Sequence, residues 1–384
     1  MLHRFSRPRA AVTAVFFLNG LVFSSWYSRL PDIQDRLDLG TGALGLALLG
    51  APLGLLVAQP LTGALAATVG PRRLVAAAPL WLAAGVAPAL AVDAPTLALA
   101  TLAVGAANGV LDVSMNVEGL AVERAGHKRI FNSLHAAFSF GALTGAAIGG
   151  LAAAAELDPL PHLAIVVACG AAAAALASRG LPPADAQPPP PGPRFARPSR
   201  RLAALGAVVF CVLLAEGAVF DWSGIFIRRE TDAPVGLAPA GLAAFNLAMG
   251  FGRLSADRLA EELGSARLGR AGALIGALGL GTALMVGTPA GAIAGFAVMG
   301  IGLAAVFPLA LRAAGYDPAT AGPAVAAVSS VGYAGLLTGP PAIGMLAEVL
   351  GLGGALACVC GLLAVAAALA GNLSTRGEAT SPAR

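Results

Sequence analysis

Residues 97–150 read LALATLAVGAANGVLDVSMNVEGLAVERAGHKRIFNSLHAAFSFGALTGAAIGG. A membrane-crossing helix needs about 20 apolar residues, so this stretch is long enough for two crossings, yet polar side chains interrupt it. Asn108, Asp112 and Asn116 recur at every fourth residue and therefore form one polar stripe on a helix. Placing a carboxylate in hydrocarbon is costly, so the stripe must face protein or water. The stretch predicts a polar pathway inside a membrane domain.

The composition of the chain excludes a soluble globular protein. Of its 384 residues, 57% are hydrophobic and only 11% are charged, whereas soluble domains carry about 25% charged residues. The sequence has no G-x-x-x-x-G-K phosphate-binding motif and no metal-binding spacing of Cys and His, and its four cysteines lie in apolar runs. We therefore expect an integral membrane protein that is not an enzyme and uses no cofactor or metal.

Hydropathy predicts twelve membrane spans, and the charge of the connecting loops predicts their orientation. With the N-terminus in the cytoplasm, only Arg29, Arg36, Arg228 and Arg229 of the 24 Lys and Arg residues lie outside. This bias predicts an inner (plasma) membrane protein with both termini in the cytoplasm, and it explains the net charge of +4 without nucleic-acid binding. The spans cover residues 10–28, 41–68, 74–92, 96–122, 130–156, 162–180, 202–226, 236–258, 271–288, 290–312, 321–347 and 354–372.

The chain is predicted to contain two similar halves. A segment rich in Pro and Arg, residues 181–201, divides an N-terminal six-helix bundle (1–180) from a C-terminal bundle with a short cytoplasmic tail (202–384). Three matches in the same order support a duplicated unit. They pair residues 19–23 with 216–220, residues 141–145 with 335–339, and Gly70 and Arg73 with Gly264 and Arg267.

Motifs spread over residues 10–373 carry a family resemblance. They are NVEG (116–119), VER (122–124), His135, Ser139, Gly141, AEG (215–217), DW (221–222), GR (252–253), DR (257–258), FP (307–308), GPP (339–341), Gly344 and Glu348. With the twelve spans and the repeat, they make the chain similar to the major facilitator superfamily (MFS), and in finer pattern to YbjJ-like bacterial permeases related to the fucose-permease branch. The resemblance implies an all-α membrane fold of two pseudo-symmetric six-helix bundles that expose a midplane site to each side in turn.

The loop after span two departs from the superfamily pattern. Ala67 and Thr68 stand where the family usually has an Asp-Arg pair ahead of Gly70. The charge-based latch that the family builds there is therefore not expected in the first half. Asp257 and Arg258 keep the pair in the second half, where the resemblance implies a gating role.

Acids within the spans are the leading candidates for a substrate and proton pathway. A carboxyl shielded from water holds its proton more readily, which suits Asp112 and Glu216 to proton coupling, and His135 is a third candidate. Structural alternatives remain: hydrogen bonding between bundles for Asp112, pairing with Arg253 for Glu216, and a neutral ring satisfied by Asn or Ser for His135. The predicted substrate-binding residues are Asn19, Asn108, Asp112, Asn116, Glu216, Asn246 and Tyr333.

Charged residues near the span ends are predicted to gate the pathway. Glu118 with Arg124 and Arg129 forms an expected ion-pair cluster at the inner end of span four, while Asp221 lies nearer the outside. Arg253 either holds an anionic group, neutralises an acid, or extends to the cytoplasm. The predicted gating residues are Glu118, Arg124, Arg129, Asp221, Arg253, Asp257 and Arg258.

The residues favour a monomeric secondary active transporter, coupled to protons, for a small polar solute such as a sugar. Few cations are predicted in the cavity, so a strongly anionic substrate is not expected, whereas acids and amides match hydroxyls and amines. One alternative is a proton-driven multidrug or metabolite efflux pump, and another is a membrane sensor that transports nothing. A sugar site should combine several amides with a stacking Trp, while a drug site should be wider and mostly apolar.

Overall fold

The computed structural model describes residues 2–126, 130–181, 199–316 and 321–374, and these residues form helices and turns with no β-strand. Leu-, Ala- and Val-rich runs form the helices because, in a membrane, a helix satisfies its own backbone hydrogen bonds. The α-helices are α1 (Leu2–Tyr27), α2 (Leu30–Arg36), α3 (Thr41–Leu48), α4 (Gly50–Val69), α5 (Pro71–Ala76), α6 (Ala78–Ala83), α7 (Ala94–Gly126), α8 (Phe131–Ala154), α9 (Pro159–Ser178), α10 (Arg200–Glu230), α11 (Ala240–Leu263), α12 (Ser265–Met285), α13 (Pro289–Leu303), α14 (Val306–Ala314) and α15 (Ala321–Leu369). Three 3₁₀ helices, Ala84–Leu90, Val235–Leu237 and Ala370–Leu373, complete the described secondary structure.

Ten stretches of the described chain are long and apolar enough to cross a membrane. The last of these, Ala327–Leu373, contains two predicted spans, because Gly351 interrupts α15 with a φ of 73°. The predicted third span is broken into α5, α6 and the 3₁₀ helix Ala84–Leu90, since proline removes a backbone donor and interrupts a helix. The second and tenth predicted spans are each formed by two consecutive helices, α3 with α4 and α13 with α14, and with these adjustments the helices follow the twelve predicted segments.

Residues with a positive backbone angle φ occur at equivalent turns in both halves. Outside glycine, a positive φ is uncommon, so its recurrence at a fixed spacing is informative. Three pairs lie 194, 194 and 195 residues apart: Asp38 (φ 49°) with Asp232 (φ 51°), Gly70 (φ 85°) with Gly264 (φ 80°), and Glu156 (φ 54°) with Gly351 (φ 73°). The repeat that the sequence suggests is therefore present in the backbone as well.

Close glycine contacts correct one detail of that repeat. Gly141 of α8 lies against the carbonyl of Phe17 in α1, and Gly335 of α15 lies in the same way against Phe210 in α10. The two glycines are 194 residues apart and their partners 193 apart. In this register Glu216 corresponds to Phe23, because 216 minus 193 is 23. The sequence match of Asn19 with Glu216 is therefore wrong by about one helical turn.

Gly141→Ala is expected to destabilise the protein. An added Cβ would overlap the Phe17 carbonyl oxygen and force α1 and α8 apart, and overpacking of this kind costs about 1–3 kcal/mol. Gly361→Ala is the matched control, because a Cβ there meets no described atom within 4 Å. Thermal unfolding in detergent should show a lower midpoint for Gly141→Ala alone, and equal midpoints for both variants would contradict the close packing.

The two halves of the chain meet mainly through two helix pairs, α8 with α11 and α3 with α15. A continuous apolar core crosses between them, since Trp26 and Leu44 of the first half belong to the same buried cluster as Trp222 and Phe245 of the second. The predicted linker falls mostly within residues 182–198, which lie outside the described part of the chain. The boundaries of the two bundles therefore stay a prediction.

Candidate transport pathway

A small pocket, with a cavity volume of about 20 Å³, lies between the C-terminal part of α1 and the middle of α7, beside the broken third span. Two amides, Asn19 and Asn108, and two indoles, Trp26 and Trp81, contribute to its wall. The remaining lining residues are Val22, Phe23, Leu82, Gly85, Val104, Ala107 and Leu111. Because α1, the third span and α7 belong to the same half, the pocket opens within the first half of the chain.

Two buried polar atoms beside this pocket have no hydrogen-bond partner among the residues that the structure describes. They are Nε1 of Trp26, whose side chain is 0% exposed, and Oδ1 of Asn108. Trp81 differs, because its indole N–H donates to the Leu74 carbonyl at 2.9 Å. A buried polar group without a partner lowers the stability of the fold by about 1–3 kcal/mol. The Trp26 donor and the Asn108 acceptor are therefore expected to destabilise the protein unless a ligand or water pairs with them.

The polar stripe predicted on α7 is present, and two of its three side chains are hydrogen-bonded to each other. The Asn116 amide donates to Asp112 Oδ1 at 3.1 Å and to the Asp112 carbonyl at 2.8 Å. Asn108, Asp112 and Asn116 are all partly buried. Asn19 approaches the same helix from α1, with its amide nitrogen 3.9 Å from the Met115 sulfur. The stripe thus extends from the pocket toward the C-terminal end of α7.

A second polar group joins the two halves. Arg253 of α11 donates from Nη1 to the Ser139 hydroxyl of α8 at 3.0 Å, and its Nη2 lies 3.8 Å from Glu216 Oε2 on α10. The side chains of Arg253 and Glu216 are only 15% and 14% exposed, and Glu216 Oε1 is buried without a partner in the described part of the chain. One guanidinium therefore connects an acid of its own half to a hydroxyl of the other half.

His135 belongs to the surroundings of this group. Its carbonyl accepts a hydrogen bond from the Ser139 hydroxyl at 3.3 Å, and its ring packs edge-on against Phe16 with 5.3 Å between centroids. The ring lies within electrostatic range of Arg253. The sequence offered the pairing of Glu216 with Arg253 as one alternative. It gave no role to Ser139, which makes the link between the halves.

The predicted inner gating cluster is described only in part. Glu118 is 4% exposed and lies within electrostatic range of Arg72, a partner that the sequence analysis did not assign. Arg258 pairs with Glu262 of its own helix at 2.8 Å on an exposed face. Arg129 and the side chains of Arg124 and Asp257 lie outside the described part of the chain. Their gating roles stay predictions.

The end of the molecule that carries α2, the C-terminal end of α10 and the 3₁₀ helix Val235–Leu237 is called the outer mouth, following the predicted orientation. Ion pairs join the two halves there. Arg228 lies 3.0 Å from Asp32 and 2.7 Å from Asp35, and Arg229 lies 3.0 Å from Asp35. Asp32 is also held by Arg29 at 2.6 Å. In the sequence, Arg228 and Arg229 stand out only as exceptions to the loop-charge rule. Their partners Asp32 and Asp35 lie one turn apart on α2.

An aromatic layer also joins the halves, near the outer mouth. Phe23 and Tyr27 of α1 pack on Phe220 of α10, with centroids 5.8 and 5.4 Å apart, and Phe220 contacts Phe245 of α11 at 6.4 Å. Asp221 is buried next to this layer, within electrostatic range of Tyr27. The aromatic layer and the ion pairs close the outer mouth in this conformation.

Five of the seven predicted binding residues do not line the pocket: Asp112 and Asn116 lie further along the stripe, Glu216 lies beside Arg253, and Asn246 and Tyr333 lie elsewhere. The Asn246 amide is buried and donates to the Leu242 carbonyl of its own helix at 2.9 Å. Tyr333 packs against the core from α15. Neither lines the pocket formed by Asn19 and Asn108.

Comparison with known proteins gives this architecture a family. The sequence model of the Major Facilitator Superfamily matches residues 12–318. The chain belongs to this superfamily. It is 34% identical over 359 residues to an uncharacterised MFS-type transporter of Yersinia pestis, covering 92% of this chain and 93% of that protein. The family and fold predicted from the sequence motifs are thereby confirmed.

Solved structures share the fold at low sequence identity. A crystal structure of the nucleoside transporter NupG matches with a TM-score of 0.72 and 15% identity, covering 95% of this chain and 98% of NupG. A variant of the Escherichia coli fucose:proton symporter FucP matches with a TM-score of 0.67 and 16% identity, covering 97% of this chain and 99% of FucP. The family match and the 34% identical relative make the protein a multi-span membrane transporter of the MFS type, a family whose members are not enzymes.

Proposed function

We propose that this MFS protein transports a small, uncharged, hydroxylated ring solute, such as a sugar or a sugar-like metabolite, and couples its movement to protons. The pocket of Asn19, Asn108, Trp26 and Trp81 is the observation that carries the proposal. Its unpaired donor and acceptor, Trp26 Nε1 and Asn108 Oδ1, match a hydroxyl group, which can accept from one and donate to the other.

The chemistry of the pocket wall favours such a solute over a lipophilic drug. In this conformation the cavity volume is about 20 Å³, room for about one water, so a ring solute requires the pocket to widen. Trp81, which is partly exposed, offers an apolar ring face, and the amides fix the orientation of the solute. No Lys or Arg is among the described lining residues, so these offer no counter-charge to an anion.

Glu216 and Arg253 are proposed to carry the proton coupling. Proton uptake by Glu216 would cancel its charge and release the Arg253 Nη2 arm, which now lies 3.8 Å away, while the Nη1 arm stays on Ser139. Because Ser139 belongs to the other half, this change alters the interaction between the halves. Asp112, next to Asn108 on the stripe, is a second candidate proton site.

The protein is proposed to lie in the inner membrane and to move its solute in the same direction as protons. The loop-charge bias supports a transporter of the inner membrane with both termini in the cytoplasm, and we propose that it acts as a monomer. Proteins of the same fold include a nucleoside transporter and a fucose:proton symporter, and nucleosides and fucose are both hydroxylated ring compounds. A proton symporter is the favoured mode. The alternative is a proton-driven efflux antiporter, and the apolar part of the pocket wall is the feature that favours it.

Ligand binding can be read from intrinsic fluorescence, because two of the three tryptophans line the pocket. In a Trp222→Phe background, monosaccharides and nucleosides are titrated in parallel with a lipophilic cation. We expect a ring solute to change the emission and Asn108→Ala to weaken its binding about 10-fold, as for one lost hydrogen bond. Asn372→Ala, at the end of the last span, is the matched control.

Transport is then measured in proteoliposomes for each solute that binds. A gradient with acid outside should drive accumulation of the solute, and a proton ionophore should abolish it. Binding of the lipophilic cation alone, with extrusion driven by the gradient, would replace the proposal with efflux. Binding without any movement across the membrane would favour a sensor.

A further inference from the structure

Glu348 caps the N-terminus of helix α3, which has no capping side chain of its own. A helix begins with backbone N–H groups that lack partners, and a side-chain oxygen usually accepts from one of them. The residue before α3 is Gly40, which offers no such oxygen. Instead, the Gly42 N–H donates to Glu348 Oε1 at 3.1 Å. Glu348 lies on α15, so one half of the transporter caps a helix of the other half.

The contact requires the two halves to lie close together. A Cβ at Gly42 would overlap the Glu348 carboxylate, so any larger residue there displaces the end of that side chain. Next to it, Gly344 approaches the Thr41 carbonyl, and Gly45 approaches both Gly344 and the Pro340 carbonyl. Backbone therefore packs on backbone between α3 and α15. Any movement that separates these helices removes the cap.

The repeat shows that the fold does not require this carboxylate. Applying the spacing of 194 residues, Gly42 corresponds to Gly236 and Glu348 corresponds to Ala154. These two residues are also in contact, because a Cβ at Gly236 would lie 2.6 Å from the Ala154 Cβ. The equivalent contact between the halves thus ends in a methyl group. A carboxylate is therefore present in only one of the two related contacts at the outer mouth.

We propose that Glu348 is a positioning residue of the transport cycle. It is a helix cap that the second half supplies to the first, and it holds the outer mouth closed. A carboxylate at the start of a helix is favoured both by hydrogen bonding and by the helix dipole. When the outer mouth opens, the cap is lost and the Gly42 N–H turns to water. The contact therefore favours the closed conformation, independently of which solute is carried.

Asp93 provides a matched control. It caps α7 from within its own half, with Oδ1 accepting from the Thr96 N–H at 2.9 Å and from the Thr96 hydroxyl at 2.6 Å. These bonds, that of the hydroxyl foremost, hold the pKa of Asp93 below its ordinary value. Loss of this cap should loosen α7 without changing how the halves meet.

Hydrogen exchange of the purified full-length protein in lipid nanodiscs tests the proposal. In Glu348→Ala, exchange should rise about 2- to 30-fold at residues 41–46. It should also rise at residues 150–157 and 233–240, which hold the related outer-mouth contact between Ala154 and Gly236. Asp93→Ala should raise exchange only near residues 94–98. A rise in Glu348→Ala confined to residues 41–46 would make Glu348 a local cap and overturn the proposal, as would no change at all.

Two further variants keep the test decisive if Glu348→Ala does not fold. Gly42→Ala displaces the carboxylate while retaining the acid, and it should reproduce the exchange pattern of Glu348→Ala. Glu348→Gln keeps an acceptor oxygen without the charge and should give an intermediate rise. Protection of the outer mouth in Gly42→Ala equal to that of the unmodified protein would also overturn the proposal.

Discussion

Arg228→Glu is expected to open the outer mouth and to abolish net transport. The change removes two ion pairs between the halves and adds a third carboxylate beside Asp32 and Asp35. Exposed pairs contribute about 0.2–1 kcal/mol each, and these are partly shielded from water and form a network. With the added repulsion, we expect a shift of about 2–3 kcal/mol, or roughly 30- to 150-fold, toward the open outer mouth.

Spin labels at two exposed outer-end residues report this shift. Val92→Cys and Val349→Cys place one label on each half, in a background lacking the four native cysteines. The distance between labels should lengthen in Arg228→Glu and return when Asp35→Arg is added. Arg36→Gln is the control, because Arg36 donates to the Ala89 and Ala91 carbonyls of its own half. An unchanged distance in Arg228→Glu would show that these ion pairs do not hold the mouth closed.

Arg253→Met is expected to have the second large effect, on stability and transport together. Glu216 would lose its nearby cation while remaining buried, and breaking a buried pair costs about 3–5 kcal/mol. The double variant Glu216→Gln with Arg253→Met removes both charges and should recover much of the melting temperature. Arg253→Lys should recover less transport than stability, because an ammonium lacks the two-armed geometry that contacts Ser139 and Glu216.

Glu216→Gln alone is expected to abolish proton coupling while the solute still crosses the membrane. An amide side chain cannot take up the proton, so accumulation driven by a pH gradient should be lost. Exchange of labelled for unlabelled solute at equal concentrations needs no net proton transfer and should persist. Full gradient-driven accumulation in Glu216→Gln would remove Glu216 from the coupling mechanism and leave Asp112 as the candidate.

Predictions that depend on local sequence agree well with the structure. The stripe on α7 follows from the four-residue spacing, and its Asn116 to Asp112 bond connects neighbours along one helix. Gly70 and Gly264, matched in the sequence, both adopt left-handed turns. The register between spans one and seven is the exception. Among many similar apolar residues a short match is ambiguous, and the contact of Gly141 with Phe17 determines the register.

The amino-acid sequence by itself determined the membrane location of the spans, the repeat and the superfamily, because hydropathy, spacing and motifs are properties of neighbouring residues. Only the tertiary structure decided that Asn19 and Asn108 share a pocket, that Ser139 receives Arg253, and that Arg228 and Glu348 reach the other half. The Glu348 contact joins residues 306 positions apart. A contact of that kind depends on how whole helices pack, since the side chains that complete it lie on different helices and share no local pattern.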